Sequence, residues 1–255
     1  MTAAGPLGAA GEATQDRRIA GGGILAAGQG SRLRGDGYRV AKPLVPIGGV
    51  PLVEHAITNF AAAGIAPLSI IFNESEDNCV RFVRGRFPPV ASGIVVRTTA
   101  STLESFREVS ARIPRGRMLL ATVDAWCPRE EFLRFCREAA ALAPEETAVA
   151  MSSPAGDERP LRVRLDPFDP GGRIAEIGGE TGEGVTAGIY LVSDRARRAE
   201  APAGVDRLRG LLRWLVQTGE PMRAIPVEGV VDVDRGRDVL LADALAGRAS
   251  AGVRS

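Results

Sequence analysis

Buried strands and amphipathic helices alternate at short spacing through the first 150 residues of the chain. Apolar runs that predict strands cover residues 18–27, 68–72, 94–97 and 118–123. Apolar residues at helical spacing predict helices over residues 52–63, 76–87, 102–113 and 129–142. Because neighbouring parallel strands must be joined by a crossover, usually a helix, this alternation predicts a mostly parallel sheet with helices on both faces.

Beyond Pro144 the pattern changes. Short alternating segments at 161–165 and 173–177 flank a stretch rich in Pro and Gly and predict a hairpin. A strand at 185–192, a helix at 205–218, short strands at 223–227 and 230–233, and a helix at 235–245 follow. We therefore expect one α/β domain over residues 19–245 with a small antiparallel insertion near 155–185. Residues 1–18 are predicted to be a disordered tail, and 246–255 a C-terminal tail.

Composition excludes several classes of function. The formal net charge is +1, so neither nucleic acid nor a membrane surface is an expected partner. No apolar run approaches the roughly 20 residues that span a membrane. Cys79, Cys127 and Cys136 have no CxxC spacing, which argues against a disulfide framework or a zinc site. We expect a cytoplasmic protein, and a homo-oligomer is compatible with the composition.

A glycine-rich loop follows the first predicted strand, within Leu-Ala-Ala-Gly-Gln-Gly-Ser-Arg-Leu at 25–33. Backbone N–H groups in such a loop can bind phosphate oxygens. Leu33 stands where a dinucleotide-binding fingerprint needs a third small residue, and Lys42 lies twelve residues beyond Gly30, too far for a P-loop. The two glycines alone are equally compatible with a simple turn.

Lys42 is the single lysine among 32 basic residues. A lysine ammonium is a compact point charge, whereas an arginine guanidinium is a planar fork. A phosphate ligand near a reacting centre would give a reason to keep lysine at this position. A surface lysine is the alternative interpretation.

The longer pattern resembles the nucleotidyltransferase family typified by sugar-1-phosphate nucleotidylyltransferases. Residues 25–33 and the Lys-Pro-Leu-x-Pro-x-Gly-Gly-x-Pro-Leu stretch at 42–52 carry most of the resemblance. Segments 98–106, 119–124, 186–190 and 231–239 follow in the family's order. The resemblance implies a Rossmann-like fold of the nucleotide-diphospho-sugar transferase type, with a single mixed, mostly parallel sheet.

The reaction that this resemblance implies is transfer of NMP from an NTP to a phosphorylated small molecule, with release of pyrophosphate and with Mg²⁺ as cofactor. Arg32 and Lys42 are the implied catalytic cations. The implied nucleotide-binding residues are Leu25, Ala26, Ala27, Gly28, Gly30, Ser31, Arg32, Lys42, Thr99, Ser101 and Thr102. The acceptor we favour is a sugar 1-phosphate. The alternatives are a non-sugar acceptor (phosphocholine, inositol phosphate or molybdopterin type) and a non-catalytic nucleotide-binding relative.

Asp124 and a later aspartate are the implied metal ligands, since Mg²⁺ prefers oxygen ligands. Asp124 follows a predicted strand and could instead cap the helix that begins near residue 129. Asp232 and Asp234 would point to opposite faces of an extended segment, so we expect one of them to be used and favour Asp232.

Gly188 and Arg162 are the implied acceptor-binding residues. Many family members carry a second lysine for the acceptor phosphate, but the corresponding stretch here, Glu-Ile-Gly-Gly-Glu at 176–180, has none. Arg162, Arg164 or Arg173 could replace it.

Overall fold

A nine-stranded mixed sheet lies at the centre of the computed structural model, which describes residues 19–153 and 160–252. The strands are β1 (Ile19–Ala26), β2 (Pro46–Ile47), β3 (Val50–Pro51), β4 (Leu68–Phe72), β5 (Ile94–Val96), β6 (Arg117–Thr122), β7 (Ala125–Trp126), β8 (Thr147–Ser152), β9 (Arg162–Leu165), β10 (Ile174–Ile177), β11 (Gly184–Val192), β12 (Met222–Pro226) and β13 (Val231–Asp232). The helices are α1 (Ser31–Gly35), α2 (Leu52–Ala62), α3 (Asp77–Arg86), α4 (Thr102–Ser110), α5 (Arg129–Ala141), α6 (Asp194–Arg198), α7 (Leu208–Gln217) and α8 (Gly236–Gly252).

The strand order confirms the predicted α/β architecture. The main path of the sheet is β10-β9-β11-β6-β1-β4-β5, and β8 pairs with both β11 and β12. The pairings set β10 and β11 antiparallel to the other seven strands of the nine. The predicted hairpin is present as β9 and β10, and it joins the same sheet through β11. Part of the predicted insertion, residues 154–159, lies outside the described residues.

Helices cover both faces of the sheet, as the alternation predicts. One apolar core includes Phe60 of α2 and Phe135 of α5, and the other includes Phe106 of α4 and Leu211 of α7. Close packing on both faces of β1 favours glycine there: a Cβ on Gly22 would overlap the Phe60 ring of α2, and one on Gly23 would lie 3.0 Å from Val109 of α4. These contacts fix the position of β1 and therefore of the loop that follows it.

Several elements differ from the predictions. Strand β8 was not predicted, because its Thr-Ala-Val-Ala-Met-Ser sequence has few residues that favour strands. Helix α4 begins at the predicted residue 102, with Ser101 as its N-cap, but it ends at Ser110 rather than 113. The last helix continues to Gly252 instead of ending at 245, so residues 246–252 of the predicted C-terminal tail are helical. The predicted tail at 1–18, like residues 253–255, lies outside the described part of the chain.

The three cysteines are buried and unpaired. Burial raises the pKa of the Cys79 and Cys136 thiols to about 12, so both are protonated at neutral pH. Among the described helices, none combines the length and apolar character that a membrane span requires.

Two buried arginines bind the carboxyl ends of helices that support the sheet. Arg197, 4% exposed, donates from Nη2 to the carbonyl oxygens of Ser110 and Ile113 at 2.8 and 3.0 Å. Arg117, 1% exposed, donates in the same way to Ala139 and Ala140, at the end of α5. Both guanidinium groups add donors to carbonyl oxygens at and just after the carboxyl end of a helix, and Arg197 Nη1 also donates to the carbonyl oxygens of Pro114 and Gly116.

We expect Arg197→Met to lower the free energy of unfolding by about 3 kcal/mol, because it leaves buried carbonyl oxygens without donors. The matched control is Arg198→Met. Arg198 is exposed and pairs only with Asp194 among the described contacts, at 3.1 Å, so its loss should change stability by less than about 0.5 kcal/mol. Urea unfolding followed by circular dichroism measures both values. Equal destabilisation by the two substitutions would contradict the capping role.

Candidate active site

The glycine-rich loop and Lys42 meet at the carboxyl edge of the parallel strands. The chain leaves β1 at Ala26 and enters α1 at Ser31 through Gly30, whose φ of 58° is left-handed. A Cβ on Gly30 would lie 2.8 Å from the Lys42 Cβ. Glycine is therefore favoured here twice, by the backbone conformation and by the close approach of the lysine.

Lys42 lies inside the protein and forms the centre of a charged network. Its side chain is 7% exposed, and its Nζ donates to Asp124 Oδ2 at 2.8 Å and to Asp234 Oδ1. Arg32 Nη1 donates to the other oxygen of Asp234 at 2.8 Å. This burial contradicts the alternative interpretation of Lys42 as a surface lysine, and the network brings together the two cations predicted to be catalytic.

Two short strands carry the aspartates to the same place. β7 directly follows Asp124 and pairs with β13, which sets Asp232 opposite Ala125. The Asp124 carbonyl accepts from the backbone N–H of Trp126 at 2.8 Å and of Val233 at 2.9 Å. The β7–β13 pairing therefore joins the end of β6 to the late acidic segment.

Asp232 and Asp234 do not lie on opposite faces, because the segment is not extended through both residues, and which of them binds a metal stays a prediction. β13 ends at Asp232, and the chain then turns back, with the Asp234 N–H donating to the Asp232 carbonyl at 3.1 Å. The strand alternation thus ends between the two residues, and ligand oxygens of Asp124, Asp232 and Asp234 all lie within 4.8 Å of one another. Asp238, which the sequence did not single out, fixes this turn by accepting from the N–H groups of Asp234 and Arg235.

The opposite charges in the network shift the pKa values of Lys42 and Asp124 so that each group stays charged. Burial would raise the pKa of Asp124, but the Lys42 ammonium outweighs that effect and holds the pKa below its ordinary value. Burial would likewise lower the pKa of Lys42, and the Asp124 and Asp234 carboxylates hold it above its ordinary value. Both groups are therefore charged at neutral pH. Three carboxylates at this spacing form an oxygen donor set of the kind that suits Mg²⁺.

The predicted nucleotide-binding residues at 25–31 line the loop after β1. The side chains of Leu25 and Ala26 are buried in the two cores, so only their backbone is available to a ligand. Gly28 is exposed, and a Cβ there would meet nothing within 4 Å. Ala27 is half-buried and Ser31 is exposed. A binding role for these residues stays a prediction.

The second predicted nucleotide segment begins α4, and its side chains already have partners within the protein. Ser101 Oγ accepts from the Glu104 N–H at 3.2 Å, as an N-cap does. The Thr102 hydroxyl accepts from the Leu208 N–H at 3.1 Å, and the Thr99 and Ser105 hydroxyls lie 2.6 Å apart. These contacts hold the amino end of α4 in place, and nucleotide binding by the three residues also stays a prediction.

The predicted acceptor residues are not joined to the charged network. Gly188 has a φ of 72°, and a Cβ there would lie 2.7 Å from both Ala125 Cβ and Thr122 Oγ1, so packing alone accounts for this glycine. Arg162 begins β9 opposite Val185, and no hydrogen bond or ion pair among the described residues links it to the network. Arg164 and Arg173 are the other two candidates to replace the missing lysine. Arg164 pairs with Glu176 at 2.9 Å, and the backbone of Arg173 forms a β-bridge with Arg223 of β12.

The stretch without the expected lysine has a cation that sequence reasoning missed. Arg213 of α7 donates to the carbonyl oxygens of Ile177 and Gly178 at 3.3 and 3.0 Å. A Cβ at Gly179 would lie 2.6 Å from the Glu176 carboxylate. No signal in the sequence connects Arg213 with this turn, because 35 residues separate it from Gly178.

Comparison with known proteins identifies the family. The model of the MobA-like NTP transferase domain matches residues 22–219. The chain belongs to this family. The match includes the glycine loop, Lys42 and Asp124, and it ends before the late aspartates.

Two curated relatives and one solved structure extend this comparison of the NTP transferase domain. The chain is 31% identical over 148 residues to CMP-5'-(3-aminopropyl)phosphonate synthase of Streptomyces rubellomurinus, covering 56% of this chain and 22% of that protein. It is 30% identical over 244 residues to the bifunctional IPC transferase and DIPP synthase of Rubrobacter xylanophilus. That match covers 91% of this chain and 53% of that protein. The chain thus spans about half, or less, of the curated relatives that it matches. The inositol-1-phosphate CTP transferase from T. maritima shares the fold with a TM-score of 0.72 at 16% identity, over 88% of this chain and 95% of that one.

The acidic cluster should bind a divalent cation in solution. We expect Asp124→Asn to weaken Mn²⁺ binding, measured by electron paramagnetic resonance, by about tenfold or more because it removes one of three anionic ligands. Asp206→Asn, a change at an exposed position outside the cluster, is the matched control and should bind as the wild type does. Wild-type affinity in Asp124→Asn would contradict the assignment of Asp124 as a ligand.

Proposed function

We propose that this domain transfers a nucleotidyl group from an NTP to a small molecule that carries a phosphate or phosphonate group. An acceptor oxygen attacks the α-phosphorus, the bond from that phosphorus to the β-phosphate oxygen breaks, and pyrophosphate leaves. The observation that carries the proposal is the network of Arg32, Lys42, Asp124 and Asp234 beside the glycine loop. Two cations and a carboxylate cluster next to this loop support the binding of a triphosphate with a metal ion there.

Different residues have different electrostatic roles in the proposed transfer. Two anionic reactants repel each other, so positioning and charge neutralisation supply most of the catalysis. Arg32 and Lys42 supply fixed positive charge, and the backbone N–H groups of the loop offer further donors. Bound Mg²⁺ would supply additional neutralisation of the triphosphate, and Asp124, Asp232 and Asp234 are the residues that would hold it.

We further propose CTP as the nucleotide and a non-sugar acceptor, an inositol phosphate or an aminoalkylphosphonate. The activities named for the Streptomyces relative, a CMP-5'-(3-aminopropyl)phosphonate synthase, and for the T. maritima inositol-1-phosphate CTP transferase support this choice over the sugar 1-phosphate favoured from the sequence. The structure is compatible with it, since the turn at residues 178–179 has Arg213 and Glu176 as neighbours where a lysine was expected.

A pyrophosphate-release assay tests the reaction and the acceptor together. Each of the four common NTPs is combined with inositol 1-phosphate, 3-aminopropylphosphonate and glucose 1-phosphate in the presence of Mg²⁺. We expect release above background with CTP and one of the first two acceptors. Turnover only with glucose 1-phosphate would contradict the non-sugar acceptor. Measurable NTP binding without turnover of any pair would support the non-catalytic relative instead.

Substitutions at Lys42 test the central catalytic assignment. We expect Lys42→Ala to lower kcat by about 100-fold or more, because it removes a buried cation at the reacting centre. Lys42→Arg keeps the charge but replaces a compact ammonium with a planar fork, and we expect it to lose most of the activity as well. Circular dichroism and thermal unfolding establish that each variant is folded. A folded Lys42→Ala variant with wild-type kcat would refute the role.

A further inference from the structure

Both carboxylate oxygens of Asp234 accept hydrogen bonds from cationic side chains. Lys42 Nζ donates to Oδ1, and Arg32 Nη1 donates to Oδ2 at 2.8 Å. Asp234 also belongs to the carboxylate cluster, whose oxygens lie within 4.8 Å of one another. A divalent cation held by Asp234 is therefore repelled by both side chains and competes with them for the same oxygens.

The two cations differ in how firmly the protein holds them. Lys42 is 7% exposed, and its Nζ also donates to Asp124 at 2.8 Å, so it is fixed between two carboxylates. The Arg32 side chain is 39% exposed, and Asp234 is the one partner of its guanidinium group among the described residues. Because partly exposed ion pairs contribute little stability, Arg32 is the cation that can leave Asp234.

The backbone on either side of Arg32 stays in place when its side chain rotates. Arg32 lies in the first turn of α1, which begins directly after Gly30. At the other end of this helix, Asp36 Oδ2 accepts from the Gly236 N–H at 2.8 Å and joins α1 to the start of α8. The guanidinium group can therefore move between Asp234 and an anion bound at the glycine loop, and its planar fork suits phosphate oxygens.

We propose that Arg32 exchanges Asp234 for the triphosphate of the NTP, and that its ion pair with Asp234 keeps divalent-cation affinity low until the nucleotide binds. The proposal rests on the proposed function, since the triphosphate is the second partner of Arg32. Nucleotide binding withdraws Arg32 from Asp234 and leaves that carboxylate oxygen to the metal. Each ligand then raises the affinity for the other by the same factor, so metal and nucleotide bind as a pair.

Two simpler roles of Arg32 lead to different expectations. If the ion pair only stabilises the site, loss of Arg32 weakens binding of both the metal and the nucleotide. If Arg32 is only a triphosphate ligand, its loss weakens nucleotide binding and leaves metal affinity at the value of a charge-matched control. In the proposed exchange the two affinities change in opposite directions.

Arg32→Gln separates these roles when metal and nucleotide binding are measured independently. Electron paramagnetic resonance gives the affinity for Mn²⁺ without nucleotide. Calorimetry with Mg²⁺ gives the affinity for whichever of the four common NTPs binds the wild type most tightly. The matched control is Arg34→Gln, which removes the same charge from the same helix, at an exposed residue that donates to the Gln29 carbonyl instead of a carboxylate. Thermal unfolding followed by circular dichroism establishes that both variants are folded.

We expect Arg32→Gln to bind Mn²⁺ about threefold or more tightly than the wild type does, and to bind the NTP about tenfold or more weakly. Arg34→Gln should change Mn²⁺ affinity by less than about twofold, because it leaves the Asp234 oxygens with their partners.

Equal Mn²⁺ affinity in the two variants, or weaker Mn²⁺ binding in Arg32→Gln than in the wild type, would overturn the proposed exchange. With NTP binding to the wild type intact, either result leaves the proposed function standing. A wild type that binds none of the four NTPs would instead contradict the proposed function, and the exchange with it.

Discussion

The ammonium group of Lys42, held between Asp124 and Asp234, is the contact on which the arrangement of the site depends. It joins three parts of the chain that are remote in sequence: the turn at 42–44, the end of β6 and the segment after β13. A buried lysine without these carboxylates would be costly, and so would the carboxylates without the lysine. The groups to which we assign the reaction therefore also hold the parts of the site together.

The rest of the fold positions these parts by ordinary packing and hydrogen bonding. Gly22 of β1 lets α2 pack closely, which fixes β1 and so the loop that leads to Arg32 in α1. The β7–β13 pairing and the cap at Asp238 place the late aspartates. Arg197 binds the carboxyl end of α4, while Ser101 and Thr102 fix its amino end. Each of these contacts uses backbone groups, so the geometry depends less on exposed side chains.

The parts of the fold that were predictable are those with strong local signals. β4 and α5 have clear periodicity, and the hairpin of β9 and β10 has turn residues between its strands. β8 was missed because alanine and methionine give little local preference, and its pairing with β11 and β12 decides its conformation. Helix α8 packs on the Gly48 turn through Asp243 and Ala246, and these long-range contacts are ones that no local pattern reveals.

The site, like the fold, has residues that were predictable from the sequence and residues that were not. Lys42 stood out as the single lysine, and Asp124 stood out by its position after a strand. The Lys42 Nζ lies 2.8 Å from Asp124 Oδ2 in the structure. The joint placement of Asp232 and Asp234 depends on a backbone turn, and the position of Arg213 depends on how α7 packs against β10, so neither could be read from residue spacing.

The central claim is that this network is where a nucleotide and a divalent cation bind together. Calorimetric titration of CTP into the wild type and into Asp234→Asn, each with Mg²⁺ and with EDTA, tests it most directly. We predict that Mg²⁺ tightens CTP binding to the wild type by about tenfold or more, and that the substitution abolishes most of this gain. Equal affinity for CTP with and without Mg²⁺, or an undiminished gain in Asp234→Asn, would contradict the account.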